Sequence, residues 1–150
     1  MFLNKELKPD FFTFTNGVVS IANKEGKFGL IDSTLTIVTN DWYEKIYLKD
    51  GQPVGVDKDK KTAWLNKNYG VMGNWYDGSN WFFEGLSYVY NLKINNETEV
   101  KLFGYVNIDG QEVIPCIYES AEDFSNGKAS VTKDGVSFCI DKTGKTVECD

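Results

Sequence analysis

The chain contains no histidine and no arginine, and all 16 of its positive charges are lysines. Without histidine, the side chain that most often exchanges protons near neutral pH is missing, which excludes Ser-His-Asp and Cys-His catalysis and histidine metal sites. Without arginine, bidentate capture of phosphate or guanine is lost. We therefore expect a protein without cofactor, metal or catalytic residues, with an enzyme based on carboxylates or Cys116 as a weaker alternative.

Positive charge is also in deficit, because 22 acidic residues give a net charge of −6 at pH 7. Nucleic-acid binding depends on neutralising phosphates, so an acidic chain is expected to repel nucleic acid. The same charge speeds the encounter with a basic protein. The charge balance therefore favours a protein partner, and a basic one.

Long apolar runs are absent: no stretch approaches the about 18 apolar residues of a membrane span. The first residues are too charged for a signal peptide, so we expect a cytoplasmic protein that does not enter a membrane. The three cysteines lack CxxC spacing. Their odd number predicts reduced thiols, with Cys116 and Cys139 as small buried side chains and Cys149 exposed.

Aromatic residues make up 15% of the chain, and they favour pleated, half-buried surfaces. Two sets of turn-forming residues recur along the sequence. The first set consists of glycines, spaced by 34, 34 and 42 residues; the second consists of Asp or Asn, spaced by 34, 41 and 34. The members are Gly17, Gly51, Gly85 and Gly127, and Asp32, Asn66, Asn107 and Asp141. Both sets indicate a 34-residue period with one insertion, at Asn91–Val100, in the third copy.

Between these turns the residues read as short strands, because Asp begins a turn and Gly supplies positive φ. The predicted fold is all-β, with four pseudo-repeats of a three-stranded antiparallel meander in a single domain over residues 1–150. The units are approximately 14–47, 48–81, 82–123 and 124–150, stacked or closed in a barrel or propeller-like arrangement. Between units, apolar residues three apart suggest a short irregular or helical turn. We expect the segment Phe11–Phe14 to cover the last unit.

The second strand of two units carries an aromatic residue followed by glycine, in Phe28-Gly29-Leu30-Ile31-Asp32 and Phe103-Gly104-Tyr105-Val106-Asn107. A glycine inside a strand leaves bare backbone against which a neighbouring aromatic ring can lie. Over residues 12–149 the chain resembles the WG-repeat family of bacterial β-repeat proteins, with phenylalanine in place of the tryptophan. The resemblance implies an all-β repeat and brings no catalytic motif.

Three groups of residues are candidates for partner binding. Trp75 and Trp81 belong to an aromatic cluster that forms either the core between two units or a surface for a protein or a sugar, and we favour the core. Glu97 and Glu99 lie near the tip of the insertion, which is otherwise a solvated loop. Asp57 and Asp59 lie in a charged turn that lacks the remaining ligands of a calcium loop.

These observations predict a non-catalytic protein-binding repeat domain. Its most concrete form is an acidic immunity or antitoxin-like inhibitor of a basic bacterial toxin, whose phosphate-binding surface the acidic groups would occupy. The alternative is a carbohydrate or cell-wall binding module that uses exposed aromatic residues.

Overall fold

The computed structural model describes residues 13–150, and every regular element in this range is a β-strand. The strands are β1 (Val18–Ala22), β2 (Phe28–Asp32), β3 (Lys45–Tyr47), β4 (Val54–Lys58), β5 (Lys61–Leu65), β6 (Val71–Tyr76), β7 (Gly78–Ser79), β8 (Leu86–Asn95), β9 (Thr98–Asn107), β10 (Glu112–Tyr118), β11 (Ser120–Ala121), β12 (Lys128–Lys133), β13 (Val136–Asp141) and β14 (Thr146–Val147). The all-β prediction is confirmed for this range. The predicted role of Phe11–Phe14 depends on residues 11 and 12, which lie outside the described residues.

The described residues fall into two compact units. The first contains the residues up to Lys60 together with Trp64–Val71, and the second contains Lys61–Ala63 and Met72–Asp150. None of the described residues belongs to a helix long and apolar enough to cross a membrane.

The strands form one two-stranded sheet, β1-β2, and three four-stranded sheets. The four-stranded sheets have the orders β3-β4-β5-β6, β10-β9-β8-β7 and β11-β12-β13-β14, so neighbours in sequence are neighbours in the sheet. The pairs with a defined register, such as β8 with β9 and β12 with β13, are antiparallel. Each sheet is open at both sides, and no barrel closes within residues 13–150.

Two short strands, β3 and β11, come from segments between units that we predicted to be irregular or helical turns. That prediction is wrong for the described residues. Ser120 and Ala121 pair with Thr132 and Val131 of β12, and β3 pairs with β4 in the same way. Their backbone groups bond to the following strand, and this pairing outweighs the helical spacing of the side chains.

The four recurring Asp and Asn residues each begin a turn, and the four turns have the same geometry. In each of the four, the side-chain oxygen accepts hydrogen bonds from the backbone N–H groups two and four residues later, at 2.9–3.1 Å. The fourth residue of each turn has positive φ; these residues are Leu35, Tyr69, Gly110 and Gly144. The prediction that these Asp and Asn residues recur because each begins a turn is confirmed.

The second compact unit has a core in which side chains of five strands meet. In β12, Ala129 and Val131 are buried, while the alternate residues Lys128, Ser130 and Thr132 are partly exposed. This alternation is the period of two that a half-buried strand requires. The core cluster consists of Leu86, Tyr105, Ile114, Tyr118, Phe124, Ala129, Val131 and Ile140.

The two aromatic-glycine strands use their glycines differently. A β-carbon on Gly29 would lie 3.0 Å from the indole ring of Trp42, so an aromatic ring covers this backbone as predicted. A β-carbon on Gly104 would lie 2.4 Å from the carbonyl oxygen of Ile114. At Gly104 the close neighbour is therefore the bulged backbone of β10, and the prediction of an aromatic neighbour is wrong there.

Cys139 and Cys149 form a disulfide with a Cα–Cα distance of 5.3 Å, which corrects the prediction of three reduced thiols. Cys139 pairs with Val147 in the sheet, so the chain leaving β14 returns Cys149 to the neighbourhood of Cys139. Cys116 is free and partly buried.

Candidate functional site

The predicted insertion lengthens one hairpin, β8–β9, to ten residues in each strand. The two strands stay in register from Leu86 opposite Asn107 to Asn95 opposite Thr98. Asn96 and Glu97 close the hairpin with φ angles of 48° and 64°, which are typical of a type I′ turn. We name residues 91–102 the hairpin extension.

The hairpin extension exposes apolar side chains next to charged ones. Ile94 is 68% exposed and Leu92 is 40% exposed. Ile94 lies opposite Glu99, and Leu92 lies opposite Lys101, so these four side chains share one face of the ribbon. Large exposed apolar residues with charged neighbours are typical of a surface that another protein covers.

Glu97 and Glu99 are exposed, as the sequence predicts for residues near the tip of the insertion. Glu97 occupies the second position of the turn, and Glu99 is the second residue of β9. Neither carboxylate has an ion-pair partner within the described residues. Both charges are therefore available to a basic partner.

Asp77 lies at the base of the hairpin extension, directly before β7. Its side chain accepts a 2.7 Å hydrogen bond from the backbone N–H of Leu92 and lies 2.7 Å from the ammonium group of Lys61. Burial alone would raise the pKa of Asp77, but the Leu92 hydrogen bond and Lys61 lower it below its ordinary value. The carboxylate of Asp77 therefore accepts the hydrogen bond from the Leu92 N–H that the backbone of a neighbouring strand would otherwise accept.

Sequence reasoning did not identify Asp77 as part of this site. The Asp77-Gly78 pair carries a turn signal, but Leu92 is 15 residues away in the sequence. Only the pairing of β7 with β8 brings the carboxylate to that N–H.

Asp57 and Asp59 lie in the first compact unit, whereas the other four predicted residues lie in the second. Asp57 accepts a 2.7 Å hydrogen bond from the hydroxyl of Tyr47. Burial, reinforced by this bond, raises the pKa of Tyr47 to about 12. Asp59 stands in a turn with φ 52°, and its N–H donates to Glu44. The backbone of Asp59 is thus tied to the turn, while its side chain is exposed.

The aromatic cluster around Trp75 and Trp81 is divided between core and surface. Tyr76 and Phe82 are buried, the two tryptophans are partly buried, and Phe83 is exposed. Tyr76 donates a 3.2 Å hydrogen bond to Glu112, which ties this residue to β10. The core interpretation therefore applies to Tyr76 and Phe82, and the remaining rings keep part of their surface accessible.

Cys116 is the nucleophile that the sequence offers for catalysis. Burial, together with the nearby carboxylate of Glu112, raises the pKa of its thiol to about 12. The thiolate is the reactive form of cysteine, so Cys116 is a weak nucleophile at neutral pH. Within residues 13–150, no group of acidic or cysteine side chains is arranged to hold a metal ion.

Comparison with known families bears out the resemblance on one segment of the chain. No curated protein and no solved structure shows a significant match. The family described as WG containing repeat matches residues 103–136, which begin at Phe103 of β9 and end at Val136 of β13. This segment has the length of the 34-residue period, and it contains the whole link between two successive β-sheets. Residues 103–136 are thus similar to the WG containing repeat, as Phe103-Gly104-Tyr105-Val106-Asn107 predicts.

Proposed function

We propose that the chain is a β-repeat domain that binds another protein through the hairpin extension and has no catalytic role. The four pseudo-repeats supply a scaffold, and the insertion in the third repeat supplies the contact. The observation that carries the proposal is the exposure of Ile94 and Leu92 beside Glu97 and Glu99.

The partner that fits this surface is a basic protein with an apolar contact. The carboxylates of Glu97 and Glu99 steer the encounter, and the net charge of −6 adds a longer-range attraction. Burial of Ile94 then supplies about 1.5–3 kcal/mol, the usual range for a large aliphatic side chain. In its most concrete form the domain is an immunity or antitoxin-like inhibitor, located in the cytoplasm, of a basic toxin.

Binding to a carbohydrate is the second candidate, supported by the partly accessible Trp75 and Trp81. Sugars stack on flat, exposed rings. The exposed ring of Phe83 lies in the same segment. Titration of the tryptophan fluorescence with oligosaccharides distinguishes the two candidates, because the protein-binding proposal expects no shift.

The test is an affinity capture from cells of the source, followed by identification of the bound protein and measurement of its affinity. The double variant Ile94→Ser/Glu97→Lys is compared with the control Val136→Ser/Glu25→Lys. The control makes the same change in net charge and replaces a similarly exposed apolar residue, but both substitutions lie outside the hairpin extension. Val136 is 63% exposed, close to the exposure of Ile94.

The proposal expects a basic protein that the wild type and the control capture equally. The hairpin variant should bind it at least about tenfold more weakly, and wild-type binding should weaken as salt rises. Capture of neutral or acidic proteins alone, or equal binding by both variants, would contradict the proposal.

A further inference from the structure

The outer side of β9 has an unpaired stretch within the hairpin extension. The register between β9 and β10 ends at Phe103, opposite Tyr118. From Thr98 to Leu102, none of the described residues pairs with β9 on that side. This part of β9 is therefore an open sheet edge, which can pair with another strand.

The register of the hairpin decides which backbone groups face outward. Asn95 and Thr98 flank a two-residue turn, so their backbone groups bond to each other. Hydrogen-bonded and non-bonded pairs alternate along an antiparallel ladder. Thr98, Val100 and Leu102 therefore bond to β8, and the N–H and C=O groups of Glu99 and Lys101 point away from it.

We propose that a second copy of this chain pairs with this edge. The two β9 strands run antiparallel about a two-fold axis at Val100, forming a four-stranded sheet, β8-β9-β9-β8. In this register, Glu99 of each copy forms a hydrogen-bonded pair with Lys101 of the other, and the two Val100 side chains lie opposite each other.

The charges on the edge favour a second copy over an unrelated strand. Antiparallel pairing about Val100 places opposite charges across both bonded pairs, which stabilises a sheet, whereas like charges in these positions destabilise it. Symmetric pairs of this kind form closed dimers, because the same patch serves both copies. The surface is thus complementary to itself in backbone, charge and side-chain size.

The opposite edge of the hairpin extension does not have this property. Symmetric pairing of β8 about Lys93 would place Lys93 opposite its own copy, which is unfavourable. The N–H of Leu92 on that edge is already bonded to Asp77. The dimer therefore forms through β9, where Glu99 faces Lys101 of the second copy, and Leu92, Ile94 and Glu97 stay accessible for the proposed protein partner.

Sedimentation equilibrium over a range of micromolar protein concentrations tests this dimer. The wild type should show a reversible monomer–dimer equilibrium. Glu99→Lys places lysines opposite each other and should weaken dimerisation by about tenfold or more. The exchange Glu99→Lys/Lys101→Glu restores opposite charges and should restore the dimer.

Glu25→Lys is the control, since it makes the same charge change in an exposed turn outside the hairpin extension. A non-reducing gel checks that no intermolecular disulfide contributes. A wild type that stays monomeric at every concentration would overturn the proposal. So would a dimer that Glu99→Lys leaves unchanged, or one that the exchanged pair fails to restore. Because no other protein takes part, failure here leaves the hairpin extension free to bind a basic partner.

Discussion

Gly73 and Gly110 lie in backbone contact: a β-carbon on Gly73 would stand 2.2 Å from the carbonyl oxygen of Gly110. Gly73 belongs to β6, and Gly110 ends the turn between β9 and β10. Both residues have positive φ, of 71° and 80°. The absence of side chains therefore lets the last strand of one sheet contact a turn of the next within the second compact unit.

Gly73→Ala should destabilise the fold by about 2–5 kcal/mol. The left-handed backbone costs a residue with a β-carbon about 1–2 kcal/mol, and the forced shift of Gly110 costs about 1–3 kcal/mol more. The measurement is urea unfolding followed by tryptophan fluorescence.

Gly51→Ala separates these two causes. Gly51 has a φ of 74°, but a β-carbon added there would meet no atom within 4 Å, so only the backbone cost of about 1–2 kcal/mol is expected. Equal losses of stability in the two variants would contradict the close packing of Gly73 against Gly110.

Asp77→Asn should loosen the base of the hairpin extension and cost about 1–2 kcal/mol at pH 7, since hydrogen bonds to a charged group are stronger than neutral ones. The pKa of Asp77 in the folded protein is below its ordinary value of 3.8. The stabilisation by its charge is therefore fully present above pH 3.8 and is lost as the pH falls through the lower, folded pKa.

The difference in unfolding free energy between wild type and Asp77→Asn, measured across this pH range, checks the prediction. Other carboxylates titrate in both proteins, so the difference isolates Asp77. Hydrogen exchange at the Leu92 amide should also speed up in the variant. A difference that persists unchanged at the acid end would show that the charge of Asp77 contributes nothing.

The thiols give a chemical test of the cysteine arrangement. Without reductant, the unfolded chain should expose one thiol, Cys116, and after reduction it should expose three. In the folded protein Cys116 should react slowly near neutral pH, because burial and Glu112 raise its pKa to about 12. Counting the groups that react with a chromogenic disulfide reagent checks both statements; three reactive thiols in unreduced, unfolded protein would contradict the disulfide.

The features that sequence could predict are those fixed by local chemistry. Asp141 and Gly144 form their turn with residues at most four positions apart, so their spacing is visible in the sequence. The insertion at Asn91–Val100 is equally visible, because it interrupts a regular period. The turn residues and the location of the candidate site therefore follow from the sequence.

The features that sequence could not predict depend on pairing between distant residues. The disulfide requires β13 and β14 to place Cys149 beside Cys139, and Asp77 reaches Leu92 only through the β7–β8 register. Likewise, Ser120 is a strand residue because Thr132 lies opposite it. Side-chain spacing within one segment carries no information on such partners.

The most direct test of the protein-binding proposal is to remove the hairpin extension without disturbing the sheet. Deleting Leu92–Asn95 and Thr98–Lys101 joins Asn91 to Leu102 through the turn Asn96-Glu97. Asn91 and Leu102 face each other in the register, and the alternation of the ladder makes them a bonded pair, which suits the same type I′ turn. The deletion also reduces the spacing between Gly85 and Gly127 from 42 residues to the predicted period of 34.

Two quantities are measured: the affinity of the shortened chain for the basic protein that the wild type captures, and the stability of the shortened chain by thermal unfolding. The proposal predicts no measurable binding by a folded chain, destabilised only by about 1–2 kcal/mol through loss of the Asp77–Leu92 hydrogen bond. A shortened chain that folds and binds with wild-type affinity would contradict it.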